Sequence, residues 1–218
     1  MRYRARGREV RSEDAAQAST HRARFLQRWI EQHPHVKQAL DYGCGKLRYS
    51  PVLAGRCDHL TLVDSEVQIQ RLQPIVGRRT TIPEWVAANL PRTRVLTADQ
   101  FQQDGTNYDL VLCSNVLSAI PSYSTRRHIV TGIRDHLRGT GHSLFVTQYR
   151  HSYFTRMRRS DRAIQYLDGW LVESTRGTHF YGVIDRESLV RLVRSCKLDI
   201  EASWTNDKSA YVLARHRQ

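Results

Sequence analysis

Apolar residues recur along this chain with two different periods. In DAAQASTHRARFLQRWIEQ (14–32), Phe25, Leu26, Trp29 and Ile30 fall at helical spacing, which predicts a helix ended by Pro34. QALDYG reads as a short buried strand with a glycine turn behind it, and RYSPVLAGR as a short helix. HLTLVDS is the second strand, EVQIQRLQPIV a helix interrupted near Pro74, and TRVLTAD the third strand. YDLVLCSNVL opens as a fourth, with the unbroken apolar character of a strand covered on both faces. STRRHIVTGIRDHLRG carries Ile129, Ile133 and Leu137 on one helical stripe, with Gly139 placed to cap it. HSLFVTQY is a fifth strand, DRESLVRLVRSCKL a helix with Asp185 as N-cap, and DIEASWT and SAYVLARHR two closing strands.

Strand and helix alternate, so the expected class is α/β. The architecture is a Rossmann-like, mainly parallel seven-stranded sheet with helices on both faces and an antiparallel last strand. Two segments stand outside the alternation. Residues 1–35 form a basic arm and helix ahead of a domain expected over 36–218. After the fifth strand comes YRHSYFTRMRRSDRAIQYLDGWLVESTRGTHFYGVI, too long for an ordinary connection, which predicts a cap insertion over about 150–185.

Composition narrows the class. With 218 residues, 40% hydrophobic and 25% charged, the chain suits one soluble domain with a real core. No apolar run approaches a membrane span, and MRYRARGREVRSEDAAQ lacks the apolar stretch of a secretory signal, so a cytoplasmic protein without membrane contact is expected. Cys44, Cys57, Cys113 and Cys196 are too scattered for a zinc knuckle or a disulfide framework, and His33 and His35 lack partners at finger spacing. No metal site is expected. The net charge of +13 changes the picture, because arginines cluster at Arg2, Arg4, Arg6, Arg8 and Arg11 and again at Arg150, Arg156, Arg158, Arg159 and Arg162. Such a field attracts a polyanion. The near-complete use of arginine over lysine is read equally well as coding bias on a solvated surface.

Ligands of such sheets bind beyond the carboxyl ends of the strands. There the sequence places Asp41 ahead of Gly43 and Gly45, Asp64 and Ser65 closing strand two, Asp99 after strand three, and Ser114 and Asn115 after strand four. A carboxylate after strand two can accept ribose hydroxyls, one after strand three an exocyclic amine of adenine, and Asp41 can attract an ammonium. Turn and cap preferences of Asp are the alternative account of the same acids. A nicotinamide-type G-x-G-x-x-G is missing its third glycine, since position 48 is Arg, and no Walker A sequence occurs.

Over roughly residues 36–216 the chain resembles the class I S-adenosylmethionine-dependent methyltransferases. LDYGCG, LVDS, TADQF, YDLVLCSNVL and HLRGTGHSLFVTQ carry the likeness, in that family's order and spacing, and the closing strands joined by TNDKS add to it. The resemblance implies S-adenosyl-L-methionine as cofactor, with Asp41, Gly43 and Gly45 around its methionine part and Asp64 on the ribose. It also implies Asp99, Gln100 and Phe101 around adenine and Asn115 with Val116 near the sulfonium; Tyr42 and Ser65 complete the expected cofactor-binding set. One departure is Leu47, which stands where many members carry a third glycine.

Methyl transfer from a sulfonium asks chiefly for positioning, and needs a general base only when the acceptor is protonated at working pH. No Asn- or Asp-Pro-Pro-aromatic run follows strand four and no Pro precedes Cys113, which disfavours two familiar DNA-methylating chemistries. In the insertion, Tyr149, Tyr153, Phe154, Tyr166, Trp170 and Phe180 lie among arginines, a pattern that suits stacking on nucleobases, on a planar small molecule, or packing of the cap on the domain. His151, His179 and Tyr181 are the candidate catalytic residues. A small-molecule acceptor is favoured; an RNA or DNA acceptor and a non-catalytic cofactor-binding protein are the alternatives. The arm, with Tyr3, Thr20, His21 and Arg22, is a candidate second half-lid.

Overall fold

The computed structural model describes residues 2–16, 18–149, 159–174 and 177–217. In chain order the strands are β1 (Arg2–Ala5), β2 (Arg8–Arg11), β3 (Val36–Tyr42), β4 (Cys57–Asp64), β5 (Gln73–Ile75), β6 (Arg78–Thr80) and β7 (Thr93–Thr97). They continue as β8 (Tyr108–Ser114), β9 (Leu137–Gln148), β10 (Ala163–Tyr166), β11 (Gly169–Ser174), β12 (Gly177–Gly182), β13 (Leu198–Asn206) and β14 (Ser209–His216). The α-helices are α1 (Arg24–Gln32), α2 (Ser50–Ala54), α3 (Glu66–Gln70), α4 (Ile82–Asn89), α5 (Ala98–Gln102), α6 (Tyr123–Asp135) and α7 (Arg186–Ser195).

Seven strands form the central sheet in the order β13-β14-β9-β8-β3-β4-β7. The five from β9 to β7 are parallel, while β14 runs antiparallel to β9 and β13 antiparallel to β14. The seven predicted strands are all present. Their alternation divides the core into two layers. Leu40, Val111 and Cys113 pack with Ile129, Ile133, Leu189 and Val193 of α6 and α7 on one face. Ala39, Leu110 and Leu112 pack with Leu26, Ile30, Leu53 and Trp85 of α1, α2 and α4 on the other. Both faces are covered, which is why these strands read as continuous apolar runs.

Several connections differ from the pattern-based expectation. The helix expected over 14–32 reduces to α1, preceded by a 3-10 turn at Ser12–Ala15. EVQIQRLQPIV is helical only through Gln70; its remainder starts the β5–β6 hairpin. An unforeseen α4 follows, nucleated by a capping box in which Thr81 and Glu84 bond reciprocally to each other's backbone N–H. Residues expected to end strand three begin α5, capped the same way by Thr97 and Gln100. Leu137 and Gly139 belong to β9 rather than to the end of α6, because β9 takes up pairing with β8 at Leu137.

A second sheet has the order β1-β2-β12-β11-β10. The basic arm supplies its first two strands and the stretch between β9 and α7 the rest. Among the described residues one bridge, Val10 to Thr178, joins β2 to β12, in parallel. Side chains then complete the union: Ala5 and Val10 of the arm pack with Leu171 and Phe180 in one small core. On the opposite face Val172 packs with Trp170 and Tyr181. The sheet is fastened to the central domain by Arg126 of α6, which is 4% exposed. Its guanidinium donates to the carbonyls of Leu117 and Ile120, pairs with Asp168 in the β10–β11 turn and lies 5.9 Å from the Phe180 ring centre.

Among the described residues no helix is long and apolar enough to cross a membrane, and no group of three or more His, Cys, Asp or Glu is placed to hold a metal ion.

Candidate active site

Register brings the carboxyl ends of three strands level. Tyr42 pairs with Val63 of β4 and with Cys113 of β8, so the loops after β3, β4 and β8 leave the sheet side by side. They line one concave cleft that opens to solvent at its mouth.

The floor is the loop Gly43–Leu47. Gly43 has φ +74, and a Cβ there would stand 2.1 Å from Cγ2 of Val116. A side chain is therefore excluded twice, by backbone conformation and by the β8 loop pressing on it. The amides of Gly43 and Cys44 both donate to the Val63 carbonyl, at 2.7 and 3.1 Å, which pins the turn to β4. Leu47 has a left-handed φ of 58, a conformation more usual for glycine, and its side chain is fully buried beside Leu53 and Leu60. Burial of a leucine contributes about 2 kcal/mol and a left-handed φ costs about 1–2, so the burial offsets the conformational cost.

Two carboxylates face this floor. Asp41 is 4% exposed and accepts a 2.6 Å hydrogen bond from the Ser50 hydroxyl. Burial pushes its pKa up to about 6, Ser50 lowering it and Asp64 raising it in turn. Asp64 is oriented by the backbone amides of Gly45 (2.8 Å) and Ser65 (2.7 Å), and burial raises its pKa too. Each acid is thus held where a positive group would relieve it. Asn115 closes the other side. It adopts φ 63 at the end of β8, and its buried Oδ1 has no hydrogen-bond partner. Val116, Ala119, Ile120 and Ile129 continue this wall as apolar surface.

The outer wall comes from the arm. Ser12, Glu13, Ala15 and Ala16 line the cleft, with Lys46, Arg48 and Tyr49 of the glycine loop opposite. The arm is tied down by Arg71, which donates to the Glu13 carbonyl (3.2 Å), by the Val76 amide donating to Ser19 (3.1 Å), and by the Ala23 amide donating to the Tyr49 hydroxyl (3.0 Å). No sequence motif marked these arm residues. Polar alternation along a charged N-terminus looks like a solvated tail until its partner strand, far off in sequence, is known.

Of the residues expected around a cofactor, Asp41, Tyr42, Gly43, Gly45, Asp64, Ser65, Asn115 and Val116 line the cleft together. Three stand apart. Phe101 is fully buried in the core, 5.4 Å from the Tyr42 ring and 4.2 Å from that of His136. Gln100 spends its side chain on the Thr97 amide, and Asp99 is exposed on the first turn of α5, where Ala98 is the lining residue. Of the candidate catalytic residues, His151 lies outside the described residues. His179 and Tyr181 share one face of β12 with their rings 5.0 Å apart, and neither lines the cleft.

Comparison with known proteins follows the same geometry. A family model described as a methyltransferase domain matches residues 11–202. The chain is 34% identical over 212 residues to the uncharacterized protein YmfD of Escherichia coli strain K12, covering 97% of this chain and 95% of that one. A methyltransferase of Clostridium acetobutylicum, described as S-adenosylmethionine-dependent, shares the fold with a TM-score of 0.62 at 11% identity, covering 89% of both chains. The N-methyltransferase NodS of Bradyrhizobium japonicum WM9, solved with S-adenosyl-L-homocysteine, superposes with a TM-score of 0.58 at 15% identity, covering 89% of this chain and 87% of its own. By a match that spans most of its length, the chain belongs to the methyltransferase-domain family.

Proposed function

We propose that this protein transfers a methyl group from S-adenosyl-L-methionine to a small-molecule acceptor held beneath the second sheet. The observation that carries the reading is the convergence of Asp41, Asp64 and the Gly43–Gly45 turn on one cleft at the carboxyl ends of β3, β4 and β8. The residues fit that cofactor. Buried carboxylates suit its ammonium, sulfonium and ribose hydroxyls, and they would repel the pyrophosphate of a dinucleotide. NodS, of like fold, holds the demethylated product in its crystal.

Bound there, the cofactor supplies an electrophilic methyl on a cationic sulfur. The chain's own part is to hold and to exclude. Asp41, Asp64 and Ser65 bind; the Val116–Ile120 wall and the arm keep water out. Asn115 lines the same wall beside Val116. Methyl transfer from a sulfonium rests chiefly on positioning, which suits an acceptor that arrives as a neutral amine or an ionised oxygen. His179 and Tyr181, one strand removed, are assigned to the packing of β12, and His179→Ala is expected to retain cofactor binding. A small acceptor is favoured because several of the described arginines are engaged in ion pairs on different elements: Arg8 with Glu173, Arg94 with Asp104, Arg134 with Asp135, Arg138 with Asp109. Four free, buried cysteines accord with a cytoplasmic location.

Calorimetry with S-adenosylmethionine, S-adenosylhomocysteine and NAD tests the reading. Binding of the first two at micromolar affinity or tighter, lost in Asp64→Ala, is expected. Binding of NAD alone would overturn it.

A further inference from the structure

We infer that Glu13 is a third carboxylate of the cofactor cleft, brought in by the N-terminal arm, whose charge sets the preference for the cationic cofactor over its neutral-sulfur product. This rests on the cofactor reading above. Glu13 is only 6% exposed, a degree of burial that a glutamate side chain rarely reaches. It lines the same cleft as Asp41 and Asp64. The pKa of Asp64 is raised chiefly by burial, and Glu13 adds a smaller push in the same direction, against the larger lowering effects of the Gly45 and Ser65 amides and of the N-terminal ammonium. Tyr3, on β1 of the same arm, also has its pKa raised by Glu13, an effect secondary to burial. Among the described residues lining the cleft, Lys46 and Arg48 of the glycine loop are the basic ones, and the N-terminal ammonium also acts on Asp64.

The three acids differ in how they are mounted. Asp41 and Asp64 stand on β3 and β4, inside a parallel sheet with neighbours on both sides. Glu13 rides on the 3-10 turn that continues from β2, outside the central sheet, and is held through the Val10–Thr178 bridge, the packing of Ala5 and Val10 on β11 and β12, and the Arg71 hydrogen bond to its carbonyl. Its charge reaches the cleft only while the arm lies across it.

Cofactor and product share an ammonium, a ribose and an adenine. They differ by one methyl group and one positive charge on sulfur. Two fixed acids already serve the common features, so an additional carboxylate over a buried cleft acts on the difference. Unit charges several ångströms apart at an effective dielectric of about 20 interact strongly enough to change a Kd by about tenfold. The arm is therefore pressed down harder by the cofactor than by the product. Methyl transfer itself removes the charge that holds the arm closed, which favours release.

The test compares wild type, Glu13→Gln and Glu13→Asp. Calorimetry gives Kd for S-adenosylmethionine and S-adenosylhomocysteine, and trypsin cleavage in the arginine-rich arm at saturating ligand reports closure. Glu13→Gln is expected to lower affinity for the cofactor by about tenfold and for the product by less than about threefold. Glu13→Asp restores the wild-type ratio. The wild-type arm is better protected by cofactor than by product, and the glutamine variant erases that difference. An unchanged ratio in Glu13→Gln with both ligands still bound overturns the inference and leaves the cofactor reading standing. Equal loss of both ligands in Glu13→Gln and Glu13→Asp assigns the arm a purely structural role and likewise overturns it. If the wild type binds neither ligand, the cofactor reading fails, and this inference with it.

Discussion

Gly43 and Asp41 show how single residues in this cleft serve two masters. A methyl group at Gly43 would meet Val116 at 2.1 Å on a backbone already at φ +74. Gly43→Ala is expected to destabilise the protein by about 2–3 kcal/mol and to weaken cofactor binding at least tenfold. Adding Val116→Ala removes the collision and leaves the conformational cost, so thermal melts of the double variant should recover part of the loss. Asp41 presents the opposite balance. Its pKa of about 6 in the fold lies above its ordinary 3.8, so its favourable contribution to folding is full below the lower value and lost as pH rises through the upper one. Near pH 7 the ionised acid costs about 3 kcal/mol in the unliganded protein. A cationic ligand needs that ionised form, so its affinity falls as pH drops through about 6. Asp41→Asn should raise the melting temperature of the unliganded protein at pH 7, weaken cofactor binding and flatten its pH profile between about 5 and 8.

Among elements, the join between the second sheet and α6 matters most. Arg126 is buried and donates to two carbonyls as well as pairing with Asp168, whose side chain is 42% exposed. The two ends of this ion pair are therefore unequal. Arg126→Met strands the Leu117 and Ile120 carbonyls and is expected to cost about 3 kcal/mol, whereas Asp168→Ala, with water near, should cost about 1. Hydrogen exchange over 163–182 is the measurement: faster exchange there in Arg126→Met, with β3, β4 and β8 unchanged, locates the effect at the join. Equal exchange throughout both sheets would show that they unfold as one unit. Elements also mark where a local signal was present and outweighed. Thr81-x-x-Glu84 and Thr97-x-x-Gln100 are capping-box sequences, yet the apolar runs beside them directed attention to strands and to a longer α3.

For the whole molecule, the +13 charge invites a nucleic-acid partner, while Arg94, Arg134 and Arg138, on separate elements, are already engaged by carboxylates of the chain. Fluorescence anisotropy with labelled RNA and DNA oligonucleotides at about 150 mM salt is expected to show affinities no tighter than the nonspecific range of roughly 10⁻⁴–10⁻⁶ M. Nanomolar binding with a steep salt slope would reverse the choice of acceptor.

What the amino-acid order determined alone is everything written in local chemistry. Short apolar runs, continuous where both faces of the sheet are covered and bounded by turn residues, specify the seven strands, and Gly43, Gly45, Asp41, Asp64 and Asn115 announce the cleft because each sits at a strand end that the pattern already marks. Leu47 could be flagged as a missing glycine, but that it keeps a glycine's φ follows from the pocket of Leu53 and Leu60 that receives its side chain. The fate of Phe101, a core residue rather than a wall of the site, is of the same kind, since α5 turns it inward against Tyr42 and His136. The arm is the extreme case. Residues 2–11 carry no apolar run able to fold alone; they pair with each other as a hairpin turning at Arg6 and Gly7, and β12, more than 160 residues later in the chain, offers the edge and the small core that hold this hairpin on the domain. Pairings of that range have no local signature. Glu13 became part of the cleft through tertiary structure alone.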